Sequence, residues 1–368
     1  MEVDWRDPRR RDRIRVEMVS PTNLDDIYGE LEGIDLSGSS LSAAYYTDTR
    51  TSGMLSVVGD GWVRGSFLRI IHEAPDQGYS NILGTYLVVD DDATEQNGIW
   101  HYSLELQSML YALVTEKARR PWTIAKGAGA LKTMKQILES SNRKYISTNA
   151  KEYTMSSPLV MESGQTMLSR IFALSQLSGN RIDVNNKGYV TIEPYILPDK
   201  KVPKLTLDLA DPRGVVGDGI SRSTDWLKMP TEAVVSYKYT TSVNGKSVEQ
   251  EINAWATVSA DNHASGSIRG YVVTDFRTVS DMSPQTQAEA NRLAKQYLAG
   301  DSKEHVTWNI ETSYIPVWEG DVVELVVHDG LAQYKGTRKC LVKNVELGLQ
   351  FMKMRITLKE TASGDDDE

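Results

Sequence analysis

The chain has 368 residues, enough for roughly two to four domains of about 100–200 residues each. It carries 41 Lys and Arg against 50 Asp and Glu, and the net charge of −9 argues against sequence-specific binding to nucleic acid. Residues of the AVILMFWYC set make up 40% of the chain and glycines number 27, which is the composition of a folded globular protein.

Cys340 is the only cysteine, so the chain cannot form an internal disulfide. No apolar run approaches the roughly 20 residues that a membrane helix needs. The start of the chain, MEVDWRDPRRRDR, is charged and lacks the apolar core of a signal peptide. We therefore expect a soluble protein that is not secreted and that is made in a reducing compartment.

The first 111 residues are predicted to be β-strands separated by turns. Eight Trp and 17 Tyr against four Phe form an aromatic set that is favoured on pleated surfaces. The β-rich runs predict strands at 14–19, 55–58, 62–71, 83–89 and 100–106, followed by a short apolar helix at 108–116. Five or more antiparallel strands in about 110 residues indicate a small barrel or sandwich.

Residues 112–200 predict a compact α+β unit. One helix opens at Gly129, and a second begins at Ser163 and ends at Gly179. The apolar positions of these helices recur at helical spacing: Leu131, Met134, Leu138, Met167, Leu168, Ile171 and Leu174. The period then drops to two between residues 182 and 195, and the sequence NNKG at 185–188 supplies a hairpin turn.

A second β-rich region begins near residue 205. Asn244-Gly245 lies between two alternating runs and predicts a hairpin whose return strand is about 248–258, with a further strand near 271–279. Ser283 is placed as the N-cap of a helix that has Pro284 at its first position and ends at Gly300. The apolar stripe of that helix is Ala290, Leu293, Ala294, Tyr297 and Leu298.

The last part of the chain returns to strands at 306–313, 340–349 and 351–358. Between them, the stretch VWEGDVVEL contains Gly320, which suits a tight turn, and Val323, Leu325 and Val327 then fall on one face of an extended chain. The tail at 364–368 has four like charges and no apolar residue, so we expect disorder there.

The sequence contains no clear catalytic constellation, and we assign no catalytic, cofactor-binding or metal-binding residues and no cofactor. The five histidines, at 72, 101, 263, 305 and 328, lack ligand spacing, and His72-Glu73 is followed by Asp76 where a zinc-protease motif needs histidine. Residues 127–132 lack the third glycine of a dinucleotide motif and are interpreted as a helix entrance. Cys340 is interpreted as a buried, inert thiol.

Several surface interpretations stay open. Asp90-Asp91-Asp92 is interpreted as a solvated acidic loop after a strand, with a loose oxygen-ligand site as the alternative. Paired carboxylates for glycoside cleavage have no sequence signature. The basic start is either a solvated arm, which we favour, or a docking site for an acidic partner; its arginines are Arg6, Arg9, Arg10, Arg11, Arg13 and Arg15, among Asp4, Asp7 and Asp12. Three tryptophans could stack on sugars, although core or interface packing is favoured for each: Trp62, Trp255 and Trp318.

The order of these segments resembles the tail hub, or baseplate hub, proteins of long-tailed bacteriophages and related injection machines. The resemblance rests on the N-terminal β region and on an α+β unit that ends in GYVTIEPY at 188–195. It rests also on the strand at 234–239 with its Asn-Gly hairpin, and on a TQAEAxxLA helix that precedes a strand and then EGDVV at 319–323.

The resemblance implies a mainly β fold with α+β insertions. Two similar antiparallel β-barrels would be formed by residues 1–111 and by 201–240 with 304–360, decorated by 112–200 and 241–303, with 361–368 as a disordered acidic tail. It implies a homotrimer at the tail tip of the virion, made in the host bacterial cytoplasm, that matches a three-fold tip to a six-fold tail tube.

The same resemblance implies the partners. They are further copies of the chain, the distal tail protein ring, the tail tube or tape-measure protein, and a tail fibre or spike, while genomic DNA passes through without specific binding. The expected role is structural and not enzymatic. The alternatives are a carbohydrate-active or wall-degrading enzyme of the tail tip, and a β module that binds carbohydrate without cleaving it.

Overall fold

The computed structural model describes residues 10–59, 61–155, 158–210, 216–225, 229–243, 246–262, 264–280, 287–301, 306–328 and 335–361. The chain divides into two compact units, Met1–Ser221 with Asn309–Thr361 and Arg222–Trp308 with Ala362–Glu368. The predicted turn at Asn244-Gly245, the cap at Ser283-Pro284 and the acidic tail lie outside the described residues.

The fold is mainly β, as predicted. The strands up to the first helix are β1 Arg13–Val19, β2 Ile27–Glu30, β3 Ile34–Ala44, β4 Thr51–Val58, β5 Phe67–Ala74, β6 Tyr79–Gln96 and β7 Ile99–Gln107. The middle of the chain contains α1 Tyr111–Thr115, β8 Trp122–Ile124, α2 Ala130–Ser140, β9 Tyr145–Ser147, β10 Leu159–Met161, α3 Met167–Ser178, β11 Asn180–Val184, β12 Val190–Pro194 and β13 Thr206–Asp208. The remaining elements are β14 Val216–Thr224, β15 Glu232–Val243, β16 Lys246–Thr257, α4 Gly266–Arg269, β17 Thr274–Ser280, α5 Gln287–Asp301, β18 Val306–Ser313, β19 Val322–Val327, β20 Gly336–Gly348 and β21 Lys353–Glu360.

Thirteen strands of the described residues form one large sheet. Its order is β14-β18-β21-β20-β3-β4-β7-β6-β5-β1-β2, with β19 also on β20 and β13 on β19. The early and late parts of the chain meet where β3 pairs with β20, in a register that sets Ala44 opposite Asn344. The long strand β6 pairs with β5 along its first half and with β7 along its second half.

The turn at Gly320 and the strand after it are confirmed. Gly320 has a φ of +81°, in the region that favours glycine. Val323, Leu325 and Val327 of β19 are all buried, because alternate residues of a strand point to the same side of the sheet.

The α+β part of the first unit has the predicted helices. In α2 the buried face includes Met134 and Leu138, and in α3 it includes Leu168, Ile171 and Leu174. The predicted start of α3 at Ser163 is wrong, because Gly164 has a φ of +80° and Thr166 is the N-cap, with its side chain accepting a hydrogen bond from the Ser169 N–H. The predicted end at Gly179 is confirmed by its left-handed φ of 63°.

The second unit contains a small sheet of order β16-β15-β17. Strands β15 and β16 are antiparallel and set Val243 opposite Lys246, which agrees with the predicted hairpin. Helix α5 covers one face of this sheet, since Ala290 and Ala294 pack with Val235 and Ala254. The stripe predicted for this helix is therefore confirmed, although the helix runs one residue past Gly300.

Two predictions near β5 and β6 are wrong. The strand predicted at 62–71 is β5, Phe67–Ala74, and residues 61–66 are outside it. Asp90-Asp91-Asp92 is not a loop but part of β6, opposite Glu105, Leu104 and Ser103 of β7. Asp90 and Asp92 can lie in a strand because their side chains are exposed to solvent, while their backbone pairs with β7. In the described residues, no helix is long and apolar enough to cross a membrane.

Candidate functional site

A charged cluster forms around the turn that precedes β19. The Arg181 guanidinium, on β11, lies 4.6 Å from the centre of the Tyr45 ring, and the Arg50 guanidinium lies 5.5 Å from the same ring. Both distances are within the range of cation–π attraction. Arg181 also forms an ion pair with Asp183. Gly320 closes the cluster, because a Cβ there would lie 2.6 Å from Arg181 Nη1.

Glu319 is the acidic member of this cluster with the largest shift in pKa. Its Oε2 atom is buried and has no hydrogen-bond partner among the described residues. Burial, and next the charge of Asp183, raise the pKa of Glu319 to about 8. Burial and the nearby charge of Arg181 lower the pKa of Arg50. Glu319 is therefore protonated and uncharged at neutral pH, so the cluster contains one buried charge fewer.

The cluster borders an open pocket of about 310 Å³. Lys201 lies at its wall and donates from Nζ to the Gly320 carbonyl at 2.7 Å. The charged residues that line the pocket are Arg181, Asp183, Glu193, Lys201, Glu319 and Asp321. No group of three or more His, Cys, Asp or Glu side chains in the described residues could hold a metal ion. The cluster thus ties β11 and the residues after β3 to the turn before β19.

The basic start of the chain is partly built into the sheet. Arg10 donates from Nε to Asp12 Oδ1 at 2.8 Å, and His72 Nε2 lies 2.6 Å from the same oxygen. Arg15, on β1, donates from Nε to Glu73 Oε1 at 2.9 Å. The favoured interpretation as a solvated arm is therefore wrong for these residues, because their carboxylate partners hold them. Arg6, Arg9, Asp4 and Asp7 lie outside the described residues.

The structure places three of the five histidines, and it confirms that Cys340 is buried. His72 is buried in β5, His101 lies in β7, and the exposed His328 has its Nε2 2.7 Å from Asp208 Oδ1. His263 and His305 lie outside the described residues. Cys340 is buried in β20, and burial raises the pKa of its thiol to about 12, so the reactive thiolate is suppressed.

The three candidate tryptophans have different surroundings. Trp62 is half-buried and packs edge-on to Tyr102, with ring centres 6.4 Å apart. Trp318 is also half-buried. Trp255 is 69% exposed, so it does not pack in the core of the single chain, and packing at an interface stays a prediction for it. It lies in one row with Val234 and the 60% exposed Phe276, across β16, β15 and β17.

Two structural roles have no clear sequence signal. Glu152 lies 21 and 20 residues after Leu131 and Lys132, and its carboxylate accepts hydrogen bonds from their N–H groups at the start of α2. Glu319 sits in the turn that the sequence does predict, but its burial depends on Arg181 and Asp183, which are distant in the chain. From the sequence alone, only the order of the elements along the chain could have indicated that these segments lie close together.

No family model matches the sequence, and neither does any curated protein. Solved structures match along nearly the whole chain. The tail protein from Neisseria meningitidis MC58 is 12% identical, with a TM-score of 0.66 over 96% of this chain and 97% of that one. The 43 kDa tail protein of prophage MuSo2 from Shewanella oneidensis is 12% identical, with a TM-score of 0.65 over 95% and 98%. Prophage tail protein gp18 from Listeria monocytogenes is 12% identical, with a TM-score of 0.56 over 94% of each chain.

At 12% identity these matches establish a shared fold. The match runs through the large sheet, the α+β part and the second unit, since it spans 96% of this chain. The mainly β fold with α+β insertions that the order of segments implies is therefore confirmed, and this chain has the fold of the phage tail proteins to which it is similar.

Proposed function

We propose that the chain is a structural protein of a phage tail tip, a hub of the baseplate type that acts without catalysing a reaction. The observation that carries the proposal is the two-way coverage of 96% and 97% with a tail protein, which leaves no large region of either chain without a counterpart. The tail-hub resemblance in the sequence supports the same role independently of the matched coordinates.

The proposed assembly is a homotrimer that closes the end of the tail tube. Its two similar β-barrels would come from residues 1–111 and from 201–240 with 304–360, so that three copies present six similar units to a six-fold tube. Such head-to-tail packing buries sheet edges that a single copy leaves open. The expected neighbours are the distal tail ring, the tube or tape-measure protein, and a fibre or spike.

The net charge of −9 suits a passage for DNA, because a wall that repels phosphate does not retain the genome. In this proposal the DNA makes no specific contact with the protein. A strongly basic lumen in the assembled ring, seen as an electrostatic map of its structure, would contradict the role.

The experiment that tests the proposal is assembly of the purified full chain. Native mass spectrometry and negative-stain electron microscopy, with the chain alone and co-expressed with the distal tail ring protein of the same tail, are expected to give a trimer and a ring. A chain that stays monomeric in both preparations and never joins the ring would contradict the proposal.

One observation favours a second candidate, a carbohydrate-active enzyme of the tail tip. Two neighbouring carboxyl groups, one of them with a raised pKa, are the arrangement of an acid–base pair, and Glu319, whose pKa is raised, borders the pocket together with Asp183. Against it, Asp183 is paired with Arg181 and Glu319 Oε2 is buried. Release of sugars from host wall polysaccharide by the wild type, lost in Glu319→Gln, would establish the enzyme; no release from the wild type rejects it.

A further inference from the structure

The hairpin formed by β11 and β12 contacts the rest of the first unit at two places. At its turn, the Thr85 hydroxyl donates to the Asn186 carbonyl at 2.8 Å, and the Tyr189 hydroxyl donates to Asp25 Oδ2 at 3.1 Å. Asp25 is exposed, so its carboxylate is already hydrated. This first contact therefore buries no carboxyl group.

The second contact is made by the turn at residues 318–321, just before β19. Arg181 of β11 lies over the Tyr45 ring, and Gly320 leaves room for it, since a Cβ at this position would lie 2.6 Å from Arg181 Nη1. Lys201, which follows β12, donates to the Gly320 carbonyl at 2.7 Å. The turn is therefore closed both against the hairpin and against the segment that follows it.

Few backbone hydrogen bonds hold this turn. The Trp318 N–H donates to Asp321 Oδ2 at 2.8 Å, and the Asp321 N–H donates to the Trp318 carbonyl at 3.1 Å. The Gly320 N–H donates to the Val342 carbonyl at 2.9 Å. The ladder of β19 with β20 begins at Val322. The turn can therefore open locally while the ladder stays intact.

Glu319 is the residue of the turn that opposes closure when it is charged. Its Oε2 atom is buried and accepts no hydrogen bond in the part of the chain that the structure describes. Arg181 already forms an ion pair with Asp183. Burial and next the charge of Asp183 raise the pKa of Glu319 to about 8, although Arg181 and Arg50 act in the other direction. An ionised Glu319 would thus be a buried carboxylate without a hydrogen bond, which is a costly arrangement.

The ionisable groups that face Glu319 come from several elements. They are Arg181 and Asp183 of β11, Glu193 of β12, Tyr45 and Arg50 after β3, Tyr86 of β6, Lys201, and Asp321 of the turn itself. Burial raises the pKa of Tyr86, so that hydroxyl stays neutral. Burial lowers the pKa of Lys201, but a neutral amine still donates to the Gly320 carbonyl. The ionisation of Glu319 is therefore the change that acts on the contact.

We propose that the turn at 318–321 is a proton-dependent latch, closed on Arg181 and Tyr45 while Glu319 is protonated and opened when Glu319 ionises and moves into water. The hairpin then stays attached at its own turn, through Asn186 and Tyr189. The closed form holds the proton up to a pH of about 8 and the hydrated form only up to 4.5, so each pH unit between these values favours opening by about tenfold. The latch lies within one copy of the chain and does not depend on the proposed hub role.

The test is native-state hydrogen exchange of the full chain, followed by mass spectrometry and corrected for the chemical effect of pH on exchange. Between about pH 5.5 and about pH 7.5, the protection of the Trp318, Gly320 and Asp321 amides is expected to fall by about a hundredfold in the wild type. In Glu319→Gln it should stay constant. The matched control is Glu193→Gln, which removes an exposed carboxyl group from the same pocket and should behave as the wild type.

A second variant tests the part played by the neighbouring charge. Asp183→Asn removes the like charge beside Glu319 and frees Arg181 to pair with it. We therefore expect a smaller fall in protection than in the wild type over the same pH range.

Low concentrations of urea separate local opening from unfolding of the whole unit. Exchange from the turn should hardly respond to them, because local opening exposes little surface. Exchange from the ladder of β19 with β20 should respond strongly, because these amides are released only when the sheet unfolds.

Three results would overturn the proposal. The first is equal protection of the turn at both pH values in the wild type, and the second is a fall that persists in Glu319→Gln. The third is exchange from the turn that is as sensitive to urea as exchange from the ladder, because the turn would then open only with the whole unit. None of these results bears on the hub role, which the assembly of the full chain tests separately.

Discussion

The large sheet of the first unit and the small sheet of the second unit use the same alternation of side chains with different results. In the large sheet Leu55, Leu104 and Leu325 are fully buried. In the small sheet the residues facing α5 are buried, while Trp255 and Phe276 on the other face stay exposed. Alternation therefore identifies the residues that share a face, but whether the face is covered depends on what is packed against it.

The largest expected effect tests this contrast directly. Leu325→Ala should lower the free energy of unfolding by about 2–5 kcal/mol, because it leaves a cavity in a buried strand. Trp255→Ala should change it by no more than about 0.5 kcal/mol in the monomer. Urea denaturation at low protein concentration measures both. Equal losses would mean that the small sheet is covered within a single chain, and the contrast would fail.

The next effect compares a covered turn with an open one. Gly320 and Gly98 share a φ of +81°, but a Cβ at Gly98 meets nothing within 4 Å, while one at Gly320 meets Arg181 and Tyr45. Gly320→Ala should cost about 2–4 kcal/mol, and Gly98→Ala only the backbone strain of about 1–2 kcal/mol. Thermal unfolding of the two variants gives the difference. Equal losses in the free energy of unfolding would show that Arg181 and Tyr45 can move to make room for the added methyl group.

The protonation of Glu319 makes stability depend on pH. Its pKa is raised from 4.5 to about 8 in the folded chain, so the folded state binds more protons than the unfolded state in that interval. The free energy of unfolding should therefore fall as pH rises from 4.5 to about 8 and then level off. Glu319→Gln should remove this fall, which at about 1.4 kcal/mol for each pKa unit is on the order of 5 kcal/mol near pH 8.

The control for this prediction is Glu346→Gln, which removes one charge from an exposed position of β20. Urea denaturation across the same pH range should give a curve parallel to the wild type for the control and a flatter one for Glu319→Gln. If Glu319→Gln and the wild type have parallel curves, the buried carboxyl group is not the source of the pH dependence.

The smallest effect locates the start of α3. Thr166→Ala should cost about 1 kcal/mol, because its side chain accepts the Ser169 N–H as the N-cap. Ser163→Ala should be close to neutral, since the helix does not begin there. Thermal unfolding midpoints compare the two, and a larger loss for Ser163→Ala would restore the start predicted from the sequence.

Local patterns in the sequence predicted most of the elements but few of the contacts between them. The strand at 306–313, the buried face of α5 and the turn at Gly320 follow from periodicity and backbone preference, which act within a few residues. The acidic run at 90–92 has the composition of a loop but lies in a strand, because pairing with β7 decides its structure.

The candidate site depends on contacts between distant residues. The raised pKa of Glu319 follows from burial and then from the charge of Asp183, which is more than 130 residues away in the chain, while Arg181 and Arg50 oppose it. The exposure of Trp255 follows from its place on the face of the sheet opposite to α5, which no described element covers at this position. Neither property has a short-range signature, because each is set by tertiary packing.

Strand β6 has a mechanical consequence. Its 18 residues extend over roughly 60 Å at about 3.3 Å per residue, and it bonds to β5 on one flank and then to β7 on the other. A pulling force along this strand would load many of its hydrogen bonds to β5 and β7 at the same time, so they would not break one after another. The strand can therefore transmit force from its pairing with β5 to its pairing with β7 while staying extended.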